Sequence, residues 1–387
     1  MSLRRRIDTL GPPLLAAAAI AVLVAPAIAG SPRARMHGPA TIRAASGPMA
    51  LSACRPEPRP AARAEAVLVG AAWYRLDPVL DDAGGLDGQR LVVGRVGRRG
   101  AFELPLGVES FASGPAGGRI LVGNDNGRRS TLRILDVGKR CASVVHEGPD
   151  LIRRAVFDPS GYGIVEFRLD RSSRADLGVW SRPLDGTNPR RLLEPLAPNS
   201  RIGSVFATEL SWSADGQRLV VKSCGETFCL ARILDRSSGR VMTVDDHRVG
   251  EAIGLVGDEL VAYGGCPWLP CEIVAMNLKT GRVRDLAPMA GLAAVHVTDA
   301  GAVVVFEDFE LRGSLRVVGL DGMALRTLPL ETGLRLVPAS DRALAGIELP
   351  AGVIALAAGS RPSRSLVPAT FVNIADGRRV PAAEVVR

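Results

Sequence analysis

The feature that most constrains this chain is a phrase of four short apolar strands that returns every 40-odd to 55 residues. The clearest copy lies at 209–244. Glu209-Leu-Ser-Trp212-Ser213 alternates, Ala214-Asp215-Gly216-Gln217 turns the chain, and Arg218-Leu-Val-Val221 returns as a second strand. Leu230–Leu234 runs out to a turn over Asp235–Gly239, and Val241-Met-Thr-Val244 closes the unit. Period-2 patterning between turn residues is the mark of antiparallel strands. Related copies occupy 111–145 and 155–193, then Val256–Asp258 with Met276–Gly281, and Val295–Gly301 with Leu315–Gly322. A weaker copy runs from Leu334 to Ala375-Asp376-Gly377. The outer turns at Asp136, Asp185, Asp235, Asn277, Asp321 and Asp376 are separated by 49, 50, 42, 44 and 55 residues. Such intervals bracket the ~40–50 residues of a four-stranded propeller blade. A β-sandwich would supply short strands without that recurrence. The fold class is therefore all-β, a β-propeller. A degenerate first unit (Gln89–Val93, a turn over Gly97–Gly100, Phe102–Leu104) makes seven blades, the favoured count, with six as the alternative.

Turn chemistry agrees. With 43 Gly and 27 Pro the chain has turns to spare, and its 47% apolar fraction can fill a core. Asp-Gly and related pairs supply the positive φ that narrow hairpins need. A four-stranded sheet cannot bury both faces alone, and stacking blades side by side does it.

The stretch Leu210-Ser-Trp-Ser-Ala-Asp-Gly-Gln-Arg-Leu-Val-Val221 resembles the blade motif of the TolB-like, WD-repeat-related propellers of bacteria. Phe157-Asp158-Pro159-Ser160-Gly161 is similar to it. The resemblance covers most of 110–320. It implies architecture, and a role either as a periplasmic interaction platform or as the accessory domain of a peptidase. The repeats run nearly to Arg387, which leaves no space between them for a catalytic domain.

The N-terminus reads as an export signal over residues 1–29. Arg4, Arg5 and Arg6 precede an apolar run of 11 residues, Leu14–Val24, and Ala27-Ile28-Ala29 follows as a small-residue cleavage site. Eleven residues fall well short of the ~20 that a spanning helix needs. Cleavage near Gly30 into an extracytoplasmic compartment, with no permanent membrane span, is the expectation. Leu51-Ser52-Ala53-Cys54 is similar to a lipobox but lies more than twenty residues beyond the apolar run, so Cys54 is read as an ordinary cysteine. Residues 30–66 form a Pro/Arg-rich extension, and 67–387 the propeller. The net charge of +8 concentrates in the leader (+2) and the extension (+4). The body is close to neutral, which argues against a nucleic-acid partner.

Six cysteines in an exported chain predict three disulfides. Cys224 and Cys229 flank the loop between the second and third strands of one blade. Cys266 and Cys271 share that spacing 42 residues on. Hairpin geometry favours Cys224–Cys229 and Cys266–Cys271, leaving Cys54–Cys141 to clamp the extension onto the second blade. A four-thiolate zinc site is the alternative, and compartment argues against it.

No catalytic constellation stands out. His37, His146, His247 and His296 are scattered; there is no Gly-x-Ser-x-Gly elbow and no phosphate loop, and Asn124-Asp125-Asn126-Gly127 reads as a hairpin turn. No metal or cofactor is expected. The unusual stretch is Glu166 to Trp180, which carries Glu166, Arg168, Asp170, Arg171, Arg174 and Asp176 beside Arg153 and Arg154. One reading is a solvated hairpin with internal ion pairs. The other is a ligand-facing loop at one end of the central channel, joined by Glu209 and Glu251, where arginine grips carboxylates or phosphates. The favoured function is a monomeric, non-catalytic module binding an unknown protein or small ligand at one propeller face. The alternative is a propeller hydrolase or lyase with its active site at the channel mouth.

Overall fold

In the computed structural model the described residues are 52–53, 72–82, 86–95, 101–116, 118–197, 202, 205, 207–213, 215–225, 229–264, 272–288, 293–298, 301–308, 313–337, 352–358 and 368–381. All of them belong to the compact unit 42–387. They build seven sheets in chain order. The first holds β2 (Ala72–Leu80), β3 (Leu86–Arg95) and β4 (Ala101–Leu106), after a two-residue β1 (Ser52–Ala53). The second holds β5 (Phe111–Ala116), β6 (Arg119–Asp125), β7 (Ser130–Asp136) and β8 (Cys141–Gly148). The third holds β9 (Leu151–Phe157), β10 (Gly163–Leu169), β11 (Asp176–Pro183) and β12 (Arg190–Leu193). The fourth holds β13 (Ala207–Trp212), β14 (Arg218–Cys224), β15 (Cys229–Asp235) and β16 (Val241–Val244).

The fifth sheet holds β17 (Val249–Val256), β18 (Glu259–Gly264), β19 (Glu272–Asn277) and β20 (Val283–Pro288). The sixth holds β21 (Ala293–Thr298), β22 (Gly301–Glu307), β23 (Ser314–Gly319) and β24 (Ala324–Pro329). The seventh holds β25 (Leu334–Val337), β26 (Val353–Ala358), β27 (Pro368–Asn373) and β28 (Arg379–Val380). Each sheet is an up-and-down antiparallel meander, and the six outer turns counted from the sequence all fall between third and fourth strands. The chain is a seven-bladed β-propeller.

Two sheets depart from four strands. The first blade has three described strands, and they are the outer three. Gln89, near the start of β3, donates to the carbonyls of Val108 (2.8 Å) and Ser110 (3.1 Å) on the crossing into the next blade. Third strands begin at the end where crossings run, so β3 is a third strand. The second blade has five: β1 adds in parallel outside β8, with Ser52 opposite Cys141 and Ala53 opposite Ala142. An outer strand leaves a row of backbone groups unpaired, and an extra strand satisfies them.

The core lies between blades. Alternation sends Val165, Phe167 and Leu169 of β10 toward the fourth blade, where they meet Leu210, Leu219 and Val221. Ile164, one residue out of phase, faces the second blade with Phe111, Leu121 and Ile152. Each of the six interfaces from first to seventh blade has such a cluster. Inner strands of neighbouring blades also touch, β5 with β9, β9 with β13 and β17 with β21. The result has two ends. One carries the second-to-third hairpins and the blade-to-blade crossings; the other carries the remaining hairpins.

Cys224 and Cys229 face each other across the β14–β15 hairpin and are joined, Cα to Cα 4.0 Å. Cys141 is also disulfide-bonded. Cys54, Cys266 and Cys271 lie outside the described residues, as do the signal segment 1–29 and all of the 30–66 extension except β1. Among the described residues no helix is long and apolar enough to cross a membrane.

Candidate functional site

The site forms at the crossing end, between the first three blades. Residues 107–110 carry the chain from β4 to β5. Gly107 lies against the carbonyl of Asp125, where a Cβ would collide with backbone. Its amide donates to Asn124 Oδ1 (2.8 Å), which also accepts from Ser110 Oγ (3.1 Å). The crossing is thus pinned to the β6–β7 hairpin, and Glu109 projects from it. From the third blade two arginines converge on that carboxylate. Arg153 of β9 pairs with Oε2, and Arg174 of the β10–β11 hairpin donates from Nη2 to Oε1 at 2.7 Å. Burial alone would raise the Glu109 carboxyl, but the Arg174 hydrogen bond and the charges of Arg153 and Arg174 together hold it below the usual value.

Beside it, Arg171 grips Asp125 with both Nη atoms, Nη1 to Oδ1 at 2.8 Å, and donates from Nε to the Pro149 carbonyl at 3.0 Å. Asp125 also accepts from Ser130 Oγ (2.6 Å) and the Gly127 amide (2.8 Å). Desolvation pushes its carboxyl up; these donors outweigh it and the net shift is downward. Asn124–Gly127 is therefore a hairpin turn, as its composition suggested, whose Asp serves a neighbouring blade. Arg154, next on β9, donates from Nε to the Thr208 carbonyl (3.2 Å) and lies over the Phe111 ring at 5.7 Å.

The other candidates separate from this cluster. Glu166 points between the second and third blades and is fully buried. Its Oε1 accepts from Arg168 Nε (2.9 Å) and Arg182 Nη2 (3.1 Å), and Arg168 also stacks on Trp180 at 4.6 Å and pairs with Asp150 at 3.6 Å. His146 of β8 faces the same group; burial, with Arg182 and Arg168 beside it, lowers its pKa against the pull of Glu166 and Asp150. Glu166 Oε2, Arg182 Nε and His146 Nε2 are buried without a hydrogen-bond partner among the described residues. Asp176 binds Arg232 of the fourth blade (3.1 Å). Glu209 and Glu251 share one partner, Lys222 Nζ, at 2.7 and 2.8 Å.

Glu109, Asp125, Arg182, Lys222 and Arg232 were not among the site residues expected from sequence. Most of their partners lie 29–65 residues away on other blades. Lys222 carried a signal: it is one of three lysines in the chain and interrupts the apolar strand Arg218-Leu-Val-Val-Lys-Ser-Cys224. Among the described residues no group of three or more His, Cys, Asp or Glu is placed to hold a metal. His247 is exposed beside Asp246, and His296 of β21 is half-buried with its Nε2 covered, desolvation pushing its pKa down to about 4.

No family model matches the chain, and no curated protein does. Its likeness is to TolB and other β-propellers. TolB from Acinetobacter baumannii aligns at 16% identity and TM-score 0.43, over 68% of this chain and 65% of TolB, just under two thirds of that protein. The propeller domain of the Trilobed protease from Pyrococcus furiosus aligns at 10% identity and TM-score 0.46, over 82% of this chain and 94% of that domain. Oligopeptidase B from Leishmania major aligns at 11% and 0.48, over 83% of this chain and 50% of that protein. A lyase and peptidases stand beside TolB among these neighbours, and the likeness concerns the fold alone.

Proposed function

We propose that this chain is an extracytoplasmic, non-catalytic propeller that recognises a partner through the crossing end of its first three blades. The observation that carries the reading is the convergence of charge there. Three guanidiniums, Arg153, Arg171 and Arg174, close on two carboxylates, Glu109 and Asp125, with Arg154 beside Arg153 and Asp150 near Arg171. The groups come from the second and third blades and from the crossing that leads into the second, and are held by packed strands and pinned loops, so the surface is preorganised and needs little ordering on binding. Guanidiniums that already grip carboxylates favour an acidic partner, with electrostatics setting on-rate and orientation. The Cys224–Cys229 bridge supports placement outside the cytoplasm, where disulfides persist, and the N-terminal segment is read as the export signal. The protein acts as a monomer in this reading.

The test is capture from cell-envelope extract with the full mature chain and with an Arg171→Ala/Arg174→Ala variant, followed by cross-linking and mass spectrometry. One protein cross-linked near 107–110 and 170–175 by the parent chain, and lost from the variant, is the expected result. Identical cross-links from both chains would dismiss the face. A stoichiometric metal in the purified protein would turn attention to the enzymatic alternative.

A further inference from the structure

The loop Asp170-Arg-Ser-Ser-Arg174 has a near-twin in the chain, Asp235-Arg-Ser-Ser-Gly239. Both are closed by the same two backbone bonds. Arg174 N donates to Asp170 O (2.9 Å) and Gly239 N to Asp235 O (2.8 Å); Asp170 N donates to Ala175 O and Asp235 N to Arg240 O. In both, the leading Asp accepts from the two serines. The twins differ at the fifth position. Gly239 has φ 67°, a value glycine takes freely, and Arg174 has φ 58°, where a side chain is strained. Arg140 has the same strain (φ 53°) in the β7–β8 turn, at the opposite end of the blade. At 174 the strain has a use: it delivers a guanidinium to Glu109 Oε1 while Arg153 takes Oε2. This pair is the open one of the two. The Glu109 and Arg174 side chains are 30% and 43% exposed, whereas Asp125 beneath Arg171 is 3% exposed. Arg168 turns away from this pair to Glu166, which it shares with Arg182, and to Asp150.

A carboxylate held by two guanidiniums and reached by water is the geometry of carboxylate recognition with the carboxylate supplied by the protein itself. We infer that Glu109 is a built-in stand-in for the carboxylate of an acidic segment in a protein partner, and that the partner's Asp, Glu or chain terminus exchanges with it on Arg153 and Arg174. Arg174 is then kept in place of glycine because the exchange needs its side chain. The inference rests on the binding face proposed above and adds how that face is kept closed to weak anions until a matched partner arrives.

The experiment uses the full mature chain and a fluorescein-labelled hexaglutamate peptide at low ionic strength, read by anisotropy. Glu109→Gln removes the internal competitor and keeps its shape, so it should bind the peptide at least about tenfold tighter than the parent chain. Adding Arg174→Gly to Glu109→Gln should return affinity to the parent level or below. Arg140→Gly, the same relief of strain at the far end, should leave affinity unchanged. Unaltered or weaker binding by Glu109→Gln overturns the inference, as does a double variant as tight as Glu109→Gln. A second measurement does not depend on the variants folding well. Saturating the parent chain with peptide should speed hydrogen exchange at the 107–110 amides, because the crossing loses its clasp; unchanged exchange there overturns the inference. If the partner capture depends on Arg171 and Arg174 while Glu109→Gln binds peptide no tighter, the face stands and the stand-in role falls. If neither depends on these residues, both fall.

Discussion

Lys222 illustrates how single residues hold this molecule together. Its ammonium is 2% exposed and closes the gap between Glu209 on its own blade and Glu251 on the next. Replacing it by Met keeps the bulk but leaves two carboxylates facing each other, and breaking a buried pair in that way costs about 3–5 kcal/mol. Lys222→Met should therefore lower the urea midpoint strongly at neutral pH. Chemical denaturation of the parent chain and the variant checks it; an unchanged midpoint would show that the ammonium does not hold the two blades. Arg140 makes the opposite case. At φ 53° it is exposed and strained, and Arg140→Gly should stabilise the protein by roughly 0.5–1 kcal/mol, the strain relieved less the extra freedom glycine gives the unfolded chain.

Among elements, the hairpins and the outer strands carry the testable content. The Cys224–Cys229 bridge closes a loop of sequence separation 5 in a hairpin whose register is already set by six further pairs of β14 and β15. A loop that short is worth at most about 2 kcal/mol on the chain-entropy account. Cys224→Ser/Cys229→Ser should thus lose no more than that in thermal or urea unfolding and remain folded. The pairing of β1 with β8 makes a sharper claim. Ala53, which precedes Cys54 in sequence, is opposite Ala142, which follows the disulfide-bonded Cys141. Peptide mapping without reduction should recover a Cys54–Cys141 linked fragment. Recovery of Cys141 joined to Cys266 or Cys271 instead would refute that pairing.

For the whole molecule, the blades are joined by two kinds of contact, apolar clusters between sheets and ion pairs at both ends, Arg218–Asp258 and Arg236–Asp158 lying opposite the crossings. Arg171–Asp125, Arg232–Asp176, Lys222–Glu251 and Arg335–Glu307 each link consecutive blades. Acid should weaken this arrangement in two stages. His296 is neutral in the fold, with its pKa lowered from 6.5 to about 4. The unfolded chain therefore binds a proton that the folded one does not, and stability falls as pH drops from about 6.5 to about 4. The loss approaches about 3 kcal/mol at the low end. Glu109 and Asp125 have lowered pKa values, so their contribution is present above about 4.5 and 3.8 and fades as pH falls through their folded values. Stability measured from pH 7 to 3 should slope first in the histidine range, and His296→Leu should flatten that part alone. An unchanged slope in the variant would place the proton uptake elsewhere, His146 being the next group to test.

The recurring phrase was by itself enough for the fold. Strand alternation and Asp/Gly turns are local, so the outer turns at Asp136, Asp185, Asp235, Asn277, Asp321 and Asp376 could be placed without knowing what packed against what. The Cys224–Cys229 pair was legible for the same reason, since both cysteines belong to one hairpin. The candidate site was legible only in part. Composition marked 166–176 as unusual because charge density is visible along a chain, but the partners of those charges lie on other blades. Arg174 finds Glu109 65 residues away, Arg232 finds Asp176 56 away, and Lys222 joins glutamates on either side of a blade boundary. Which arginines face each other as an open clasp and which are sealed between sheets, as Arg168 and Arg182 are around Glu166, depends on how blades stack. Stacking is set by the summed burial of six interfaces, and no local window of sequence contains it.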